Sequence, residues 1–231
     1  MSSYGLCCYK KEENKEPMIL VLRRRYTYSF CSLMYNTYRT LDDLKKIIDG
    51  TSIDEKIIIS SFDYARIWDK VWTGSRPDKF FKYKQLFETM VEHVGQAELR
   101  NILDNAKSQD VIWELPKGRK DAYPESDIEC ACREFIEESN IPRESFRVHM
   151  DINSRCHFRD GEMAFVMKFW AATLKDNNAS PKCSLSDKSH HEHDLIRFVP
   201  ISRSKEYLSG PMHDVMMNNY RAWHKEYKTK K

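Results

Sequence analysis

The stretch Val111-Ile-Trp-Glu-Leu-Pro-Lys-Gly-Arg-Lys-Asp-Ala-Tyr-Pro-Glu-Ser-Asp-Ile-Glu-Cys-Ala-Cys-Arg-Glu-Phe-Ile-Glu-Glu-Ser-Asn-Ile141 decides how the rest of the chain is read. Its first five residues are β-prone, and Pro116-Lys117-Gly118 ends the strand. Ser126 is placed to cap a helix that continues to Ser139, with Glu129 three residues on to complete a capping box. That helix has two chemical faces. Ile128, Ala131, Cys132 and Phe135 recur at helical spacing and form an apolar stripe. Glu134, Glu137 and Glu138 fall at i, i+3 and i+4, so their carboxylates converge on another face. Like charges at this spacing repel by a few tenths of a kcal/mol per exposed pair, and a divalent cation relieves that repulsion. Hard ions such as Mg²⁺ prefer carboxylate oxygen. The loop before the helix adds backbone carbonyls as ligands and Lys117, Arg119 and Lys120 as phosphate partners. A solvated Glu-rich surface is the simpler reading of three glutamates alone. The basic, glycine-bearing loop beside them points instead to phosphate chemistry.

These residues resemble the Nudix box. Gly118, Glu125 and Arg133-Glu134-Phe135-Ile136-Glu137-Glu138-Ser139-Asn140-Ile141 follow its order of glycine, glutamate, Arg-Glu, paired glutamates and a closing apolar residue. There are two departures. Six residues rather than five separate Gly118 from Glu125, and Asn140 stands where the family has glycine. An extra loop residue costs little, and asparagine tolerates a left-handed helix end.

The resemblance implies an α/β fold, an α/β/α sandwich with a mixed sheet. It also implies a hydrolase acting on a nucleoside diphosphate linked to another group. By position, Glu134, Glu137 and Glu138 would hold Mg²⁺ or Mn²⁺ and carry catalysis, with the Gly118 carbonyl as a further ligand. Glu134 would also help to activate the water. Glu125 and Arg133 would form an internal ion pair, for which Glu129 competes at i, i+4. A late-loop glutamate often completes the metal site in this family, and Glu192 is the candidate.

Outward from the box, two strands are expected at Tyr4–Tyr9 and Pro17–Leu22. Arg23, Arg24 and Arg25 follow, with Tyr26, Tyr28 and Phe30. They could hold phosphate and stack a base, or be ordinary strand residues with arginine stems on the surface. Residues 32–108 change character. Thr40 opens one helix, with Leu41, Leu44, Ile47 and Ile48 inward and Gly50 closing it. Three more helices are expected over 63–72, 80–94 and 97–106. This block reads as a helical insertion that divides the Nudix domain into residues 1–31 and 109–231, with the box at 118–141. Lys79, Lys82 and Lys84 interleave with Phe80, Phe81 and Tyr83, a pattern that fits single-stranded nucleic acid as well as core aromatics with solvated lysines. After the box, strands are expected at 146–151, 156–158, 163–174 and 195–199, with a hairpin turn at Arg159–Glu162, a polar loop at 175–188 and a terminal helix at 215–227.

Composition bounds these readings. The chain has 231 residues, 41% hydrophobic and 32% charged, with net charge +3. That is globular rather than disordered, and overall charge does not declare a nucleic-acid binder. Seven cysteines without Cys-x-x-Cys spacing fit free thiols in a reducing cytoplasm, the host's if the chain is viral. His190, His191 and His193 lack cysteines at zinc spacing and read as a polar loop. There is no apolar run of about 18 residues, so no membrane partner is expected. Nothing in the pattern sets an oligomeric state.

Trp113-Glu-Leu-Pro-Lys-Gly118 is similar to the opening of the box in mRNA-decapping Nudix enzymes. The order of strand, arginine-tyrosine segment, helical insertion and box resembles the decapping enzymes of African swine fever virus and related large DNA viruses. The resemblance extends to about Trp170. It implies capped mRNA as substrate, cleaved to 7-methyl-GDP and 5′-monophosphate RNA. Arg23, Arg24 and Lys117 would contact phosphate, and Lys79, Lys82 and Lys84 the RNA. Inositol pyrophosphate is the alternative substrate that the resemblance carries, diphosphoinositol polyphosphate phosphohydrolase activity being described for the same group; another nucleoside-diphosphate conjugate is a further one. A non-catalytic RNA-binding module is the alternative from another class.

Overall fold

The computed structural model describes residues 2–72, 74, 76–121, 123–160, 163–176, 179–182, 192–208 and 210–229, with no account of the side chains at 158–160, 163 and 227–229. Gly161 and Glu162 of the expected hairpin turn, and most of the expected 175–188 loop with His190 and His191, lie outside these residues. The chain divides into two compact units: Met1–Arg23 with Trp113–Leu185 and His193–Lys231, and Arg24–Ile112 with Ser186–Glu192.

The first unit is a seven-stranded mixed sheet. Its strands are β1 (Ser2–Lys10), β2 (Met18–Arg24), β3 (Trp113–Glu114), β4 (Lys117–Gly118), β5 (Phe146–Asp160), β6 (Met163–Leu174) and β7 (His193–Pro200). The order is β3-β2-β1-β6-β5, with β4 paired to β1 and β7 to β2. β1 runs parallel to β6 and antiparallel to β2 and β4. Alternation along β1 explains the layers. Leu6 and Cys8 face one cluster with Ala131, Phe135 and Ile141. Cys7 and Tyr9 face the other with Val215, Met216 and Trp223. Helices α7 (Asp127–Ser139) and α8 (Gly210–Thr229) therefore cover opposite faces. Central strands buried on both faces read as continuous apolar runs, as Met18-Ile-Leu-Val-Leu22 does.

The second unit is helical: α1 (Tyr28–Met34), α2 (Leu41–Asp49), α3 (Ile53–Ile59), α4 (Tyr64–Trp72), α5 (Asp78–Val94) and α6 (Gln96–Asn105). Its core gathers Phe30, Leu44, Ile48, Tyr64, Trp68 and Phe87. Glu55 ties two helix starts together. Its carboxylate accepts hydrogen bonds from the Thr27 N–H (2.6 Å), the Thr27 hydroxyl (2.8 Å) and the Ser52 N–H (2.8 Å).

Several sequence expectations change here. α1 lies where strand-end aromatics were expected, because Thr27 caps a helix. Tyr26 and Phe30 are core residues, whereas Tyr28 is exposed. Helix α3 was not foreseen. Leu41 is 41% exposed rather than inward, since it occupies the first turn of its helix. The expected strands at 146–151 and 156–158 are one strand, β5, irregular between His149 and Asn153, as a bulge makes it. Among the described residues, every cysteine is free and no helix is long and apolar enough to cross a membrane.

Candidate active site

The candidate site forms where the Pro116–Gly118 segment crosses β1 and meets α7. Glycine makes room for the crossing at Gly5 and for the α7 carboxylate at Gly118. A Cβ on Gly5 would lie 2.1 Å from the Pro116 carbonyl oxygen, and one on Gly118 would lie 2.0 Å from Glu134 Cδ. The Leu6 N–H donates to the Pro116 carbonyl at 3.2 Å, pinning the loop to β1. At the other end α7 is fixed by a capping box, with the Ser126 side chain accepting from the Glu129 N–H and Glu129 from the Ser126 N–H. Asn140 closes the helix in the left-handed region at φ 54°, the conformation for which glycine and asparagine are suited.

Within this frame the three glutamates are not equivalent. The Glu134 and Glu138 side chains are 15% and 14% exposed, and Glu137 is 56% exposed. Burial pushes the Glu138 carboxyl well above the usual carboxylate range; Lys117 opposes the shift, and Glu114 and Glu134 reinforce it. Burial also raises Glu134, against the pull of Arg133. Two half-buried carboxylates one turn apart are an unfavourable arrangement unless a cation joins them. An oxygen-only donor set of this kind fits a hard divalent ion.

Arg133 braces the loop. Its Nε donates to Glu125 Oε1 at 2.8 Å and a terminal nitrogen to Glu125 Oε2 at 3.2 Å. The guanidinium also donates to the Arg119 carbonyl at 2.8 Å, to Glu134 at 3.0 Å and to Glu137 at 3.2 Å. The guanidinium holds the Glu125 carboxyl below its usual range. Glu129, the alternative partner, is occupied by the capping box.

Two residues given no role in the sequence reading stand behind Glu138. Glu114 Oε1 is 2.7 Å from His193 Nε2, and Glu114 Oε2 accepts from Lys117 Nζ at 2.6 Å. The Lys117 N–H donates to Glu138 Oε2 at 2.9 Å, and His193 Nδ1 lies 3.6 Å from Glu138 Oε1. The available signal was a glutamate between Trp113 and Leu115 in a strand that buries it. A buried acid in an apolar strand requires partners.

The other candidates are distributed. Lys117 is committed to Glu114. Arg23 pairs with Asp194 through two bonds of 2.7 and 3.0 Å. In the helical unit, Arg24 is buried, pairs with Glu192 at 3.0 Å and stacks 4.1 Å over the Tyr28 ring. Glu192 belongs to that unit. Lys79, Lys82 and Lys84 follow one another on α5. Lys79 Nζ sits 3.8 Å over the Trp72 ring, Lys82 5.8 Å over Tyr83, and Lys84 is 3.6 Å from Glu88. Of the interleaved aromatics Phe80 is core, whereas Phe81 is 62% exposed.

No family model matches the chain. The chain is similar to mRNA-decapping protein g5R of African swine fever virus: 24% identical for the isolate Warthog/Namibia/Wart80/1980, over 96% of this chain and 98% of that protein. The isolate Pig/Kenya/KEN-50/1950 gives 25% over 96% and 98%. Among solved structures, the binary complex of a C. elegans Ap4A hydrolase superposes with a TM-score of 0.52 at 15% identity, covering 97% of this chain and 98% of that one. The chain has the fold of the Nudix hydrolases. The mixed sheet between α7 and α8 is the Nudix sandwich, and the Gly118–Ile141 segment, whose residues resemble the family's box, lies on it. Divalent metals are the general cofactors of Nudix hydrolases.

Proposed function

We propose that this chain is a Nudix hydrolase that removes the 5′ cap of mRNA in a metal-dependent reaction, releasing 7-methyl-GDP and 5′-monophosphate RNA, in the cytoplasm. The observation that carries the metal-dependent chemistry is the paired burial of Glu134, against Gly118, and Glu138, against the Lys117 N–H. The name of the viral relatives supports the choice of capped mRNA. Glu134, Glu137, Glu138 and the Gly118 carbonyl would hold Mg²⁺ or Mn²⁺. Bound there, the ion neutralises diphosphate charge and lowers the pKa of the attacking water.

The remaining work falls to the side chains. Glu134 accepts the water proton. Arg133 and Glu125 keep the loop closed on α7, so that the Gly118 carbonyl stays in place. Lys79, Lys82 and Lys84 bind the RNA body, and exposed Phe81 offers a stacking surface beside them.

Hydrolysis of inositol pyrophosphate would call for a dense pocket of uncommitted cations. Arg23, Lys117 and Lys120 each have an acidic partner instead, Asp194, Glu114 and Asp127, so that reading gains no support from the first unit. A binding module would have no use for two buried repelling carboxylates. Neutralising Lys79, Lys82 and Lys84 together tests the choice: decapping should fall at least tenfold, with hydrolysis of an inositol pyrophosphate unchanged. The reverse pattern would exclude capped RNA as the substrate.

A further inference from the structure

We propose that Glu114 is a positioning residue that sets the Glu138 carboxylate for metal binding, acting through Lys117 and His193. The inference rests on the reading of Glu138 as a metal ligand.

The geometry is a closed loop of four residues from four elements, β3, β4, β7 and α7, with Lys117 joining it through both its side chain and its backbone N–H. Among the partners of Glu114, His193 Nε2 lies 2.7 Å from Oε1 and Lys117 Nζ donates to Oε2 at 2.6 Å. These same two residues approach Glu138. The Lys117 backbone N–H donates to its Oε2 at 2.9 Å, and His193 Nδ1 stands 3.6 Å from its Oε1. Glu114 is 2% exposed and His193 8%, so neither exchanges these partners freely with water. A buried carboxylate is costly unless its lone pairs are satisfied, and Lys117 and His193 each satisfy one Glu114 oxygen.

The consequence for Glu138 is orientational. A ligating carboxylate must present a lone pair at a fixed angle. Outer partners that fix ligand orientation typically account for 10–100-fold in metal affinity or activity. The Lys117 N–H secures one Glu138 oxygen, and the imidazole limits rotation of the other. Glu114 also ties the Pro116–Gly118 segment to β7, so the loop that carries the Gly118 carbonyl is restrained through the same atoms. None of these contacts requires Glu114 to touch substrate.

The test is Mn²⁺ binding to the full chain without RNA, read by the electron paramagnetic resonance signal of free Mn²⁺, for wild type, Glu114→Gln and His193→Gln. Asn219→Ala serves as a comparison: Asn219 is buried and bonds Cys7 and the Phe169 carbonyl, away from these groups. Both site variants should bind Mn²⁺ 10–100-fold more weakly than wild type. Asn219→Ala should lose thermal stability with Mn²⁺ affinity kept. In turnover, the site variants should raise the Mn²⁺ concentration for half-maximal rate, with KM for substrate within twofold. If Glu114→Gln does not fold, His193→Gln carries the comparison.

Unchanged Mn²⁺ affinity in the site variants, or an equal loss in Asn219→Ala, would overturn the proposal. So would ¹⁴N coupling to bound Mn²⁺ that disappears in His193→Gln, because His193 would then be a ligand. Binding is read without RNA, so absence of decapping by wild type would sink the substrate assignment and leave this result standing. Absence of Mn²⁺ binding by wild type would sink the metal reading and this inference together.

Discussion

The Glu134 carboxyl occupies the space that a side chain at position 118 would need: a Cβ on Gly118 would lie 2.0 Å from Glu134 Cδ and 2.1 Å from its Oε1. Gly118→Ala therefore cannot leave Glu134 where it is. The backbone at 118 is not in the left-handed region, so the effect is steric rather than conformational. Activity should drop by about 100-fold or more, in line with the sensitivity of catalysis to misplacement of about 1 Å. Thermal stability should change by only a few degrees. Turnover and thermal unfolding measured on the same preparation check this.

The raised proton affinities of Glu138 and Glu134 give the metal-free protein a defined pH dependence. Both carboxyls bind protons more tightly folded than unfolded, burial being the first cause. Their contribution to stability is complete below the ordinary glutamate range, near 4.5, and is lost as pH rises through the folded-state values. Unfolding in EDTA should therefore show this component weakening with rising pH, and saturating Mn²⁺ should reverse the loss. Glu138→Gln should flatten the profile and raise the metal-free Tm by a few degrees while abolishing turnover. Such a gain at the expense of function is common at sites built from destabilising groups.

Arg133 is more than a charge. Its planar guanidinium holds both Glu125 oxygens and the Arg119 carbonyl at once, a geometry that lysine cannot reproduce. Arg133→Lys should lower turnover about tenfold and destabilise the protein by about 1–2 kcal/mol. Glu125→Gln should do less, since it keeps hydrogen-bond acceptance on one side. Chemical denaturation and steady-state kinetics of the two variants separate these cases.

Much of this architecture was readable because local signals agreed. Ser126 and Glu129 marked the start of α7, and the Glu134, Glu137, Glu138 spacing set its acidic face. Thr40 and Gly50 delimited α2. The alternation of β1 between two faces was hidden, because Leu6, Cys7, Cys8 and Tyr9 are all apolar and a doubly buried strand carries no period. Helix α1 was missed because Tyr26, Tyr28 and Phe30 alternate as strand residues do, while Thr27 acts as a cap only once the chain turns. The roles of Glu114 and His193 could not be read at all. They lie 79 positions apart, and their pairing exists only after β3 and β7 have joined the sheet.

The same limit applies to Glu55, whose carboxylate is 1% exposed and receives three hydrogen bonds from Thr27 and Ser52. Glu55→Ala leaves two backbone N–H groups and a hydroxyl without that partner. It should destabilise the helical unit by about 3 kcal/mol. Amide exchange should show the loss in α1 and α3, with the sheet unaffected.

The most direct test is hydrolysis of cap-labelled RNA with Mg²⁺ or Mn²⁺ by wild type and Glu137→Gln. Glu137 is the most exposed of the three glutamates, so its variant folds and reports chemistry alone. Release of 7-methyl-GDP by wild type, reduced at least 100-fold in Glu137→Gln and inhibited by uncapped RNA, is the expected result. Equal turnover by the two proteins, or no release by wild type alongside cleavage of an inositol pyrophosphate, would contradict decapping at this site.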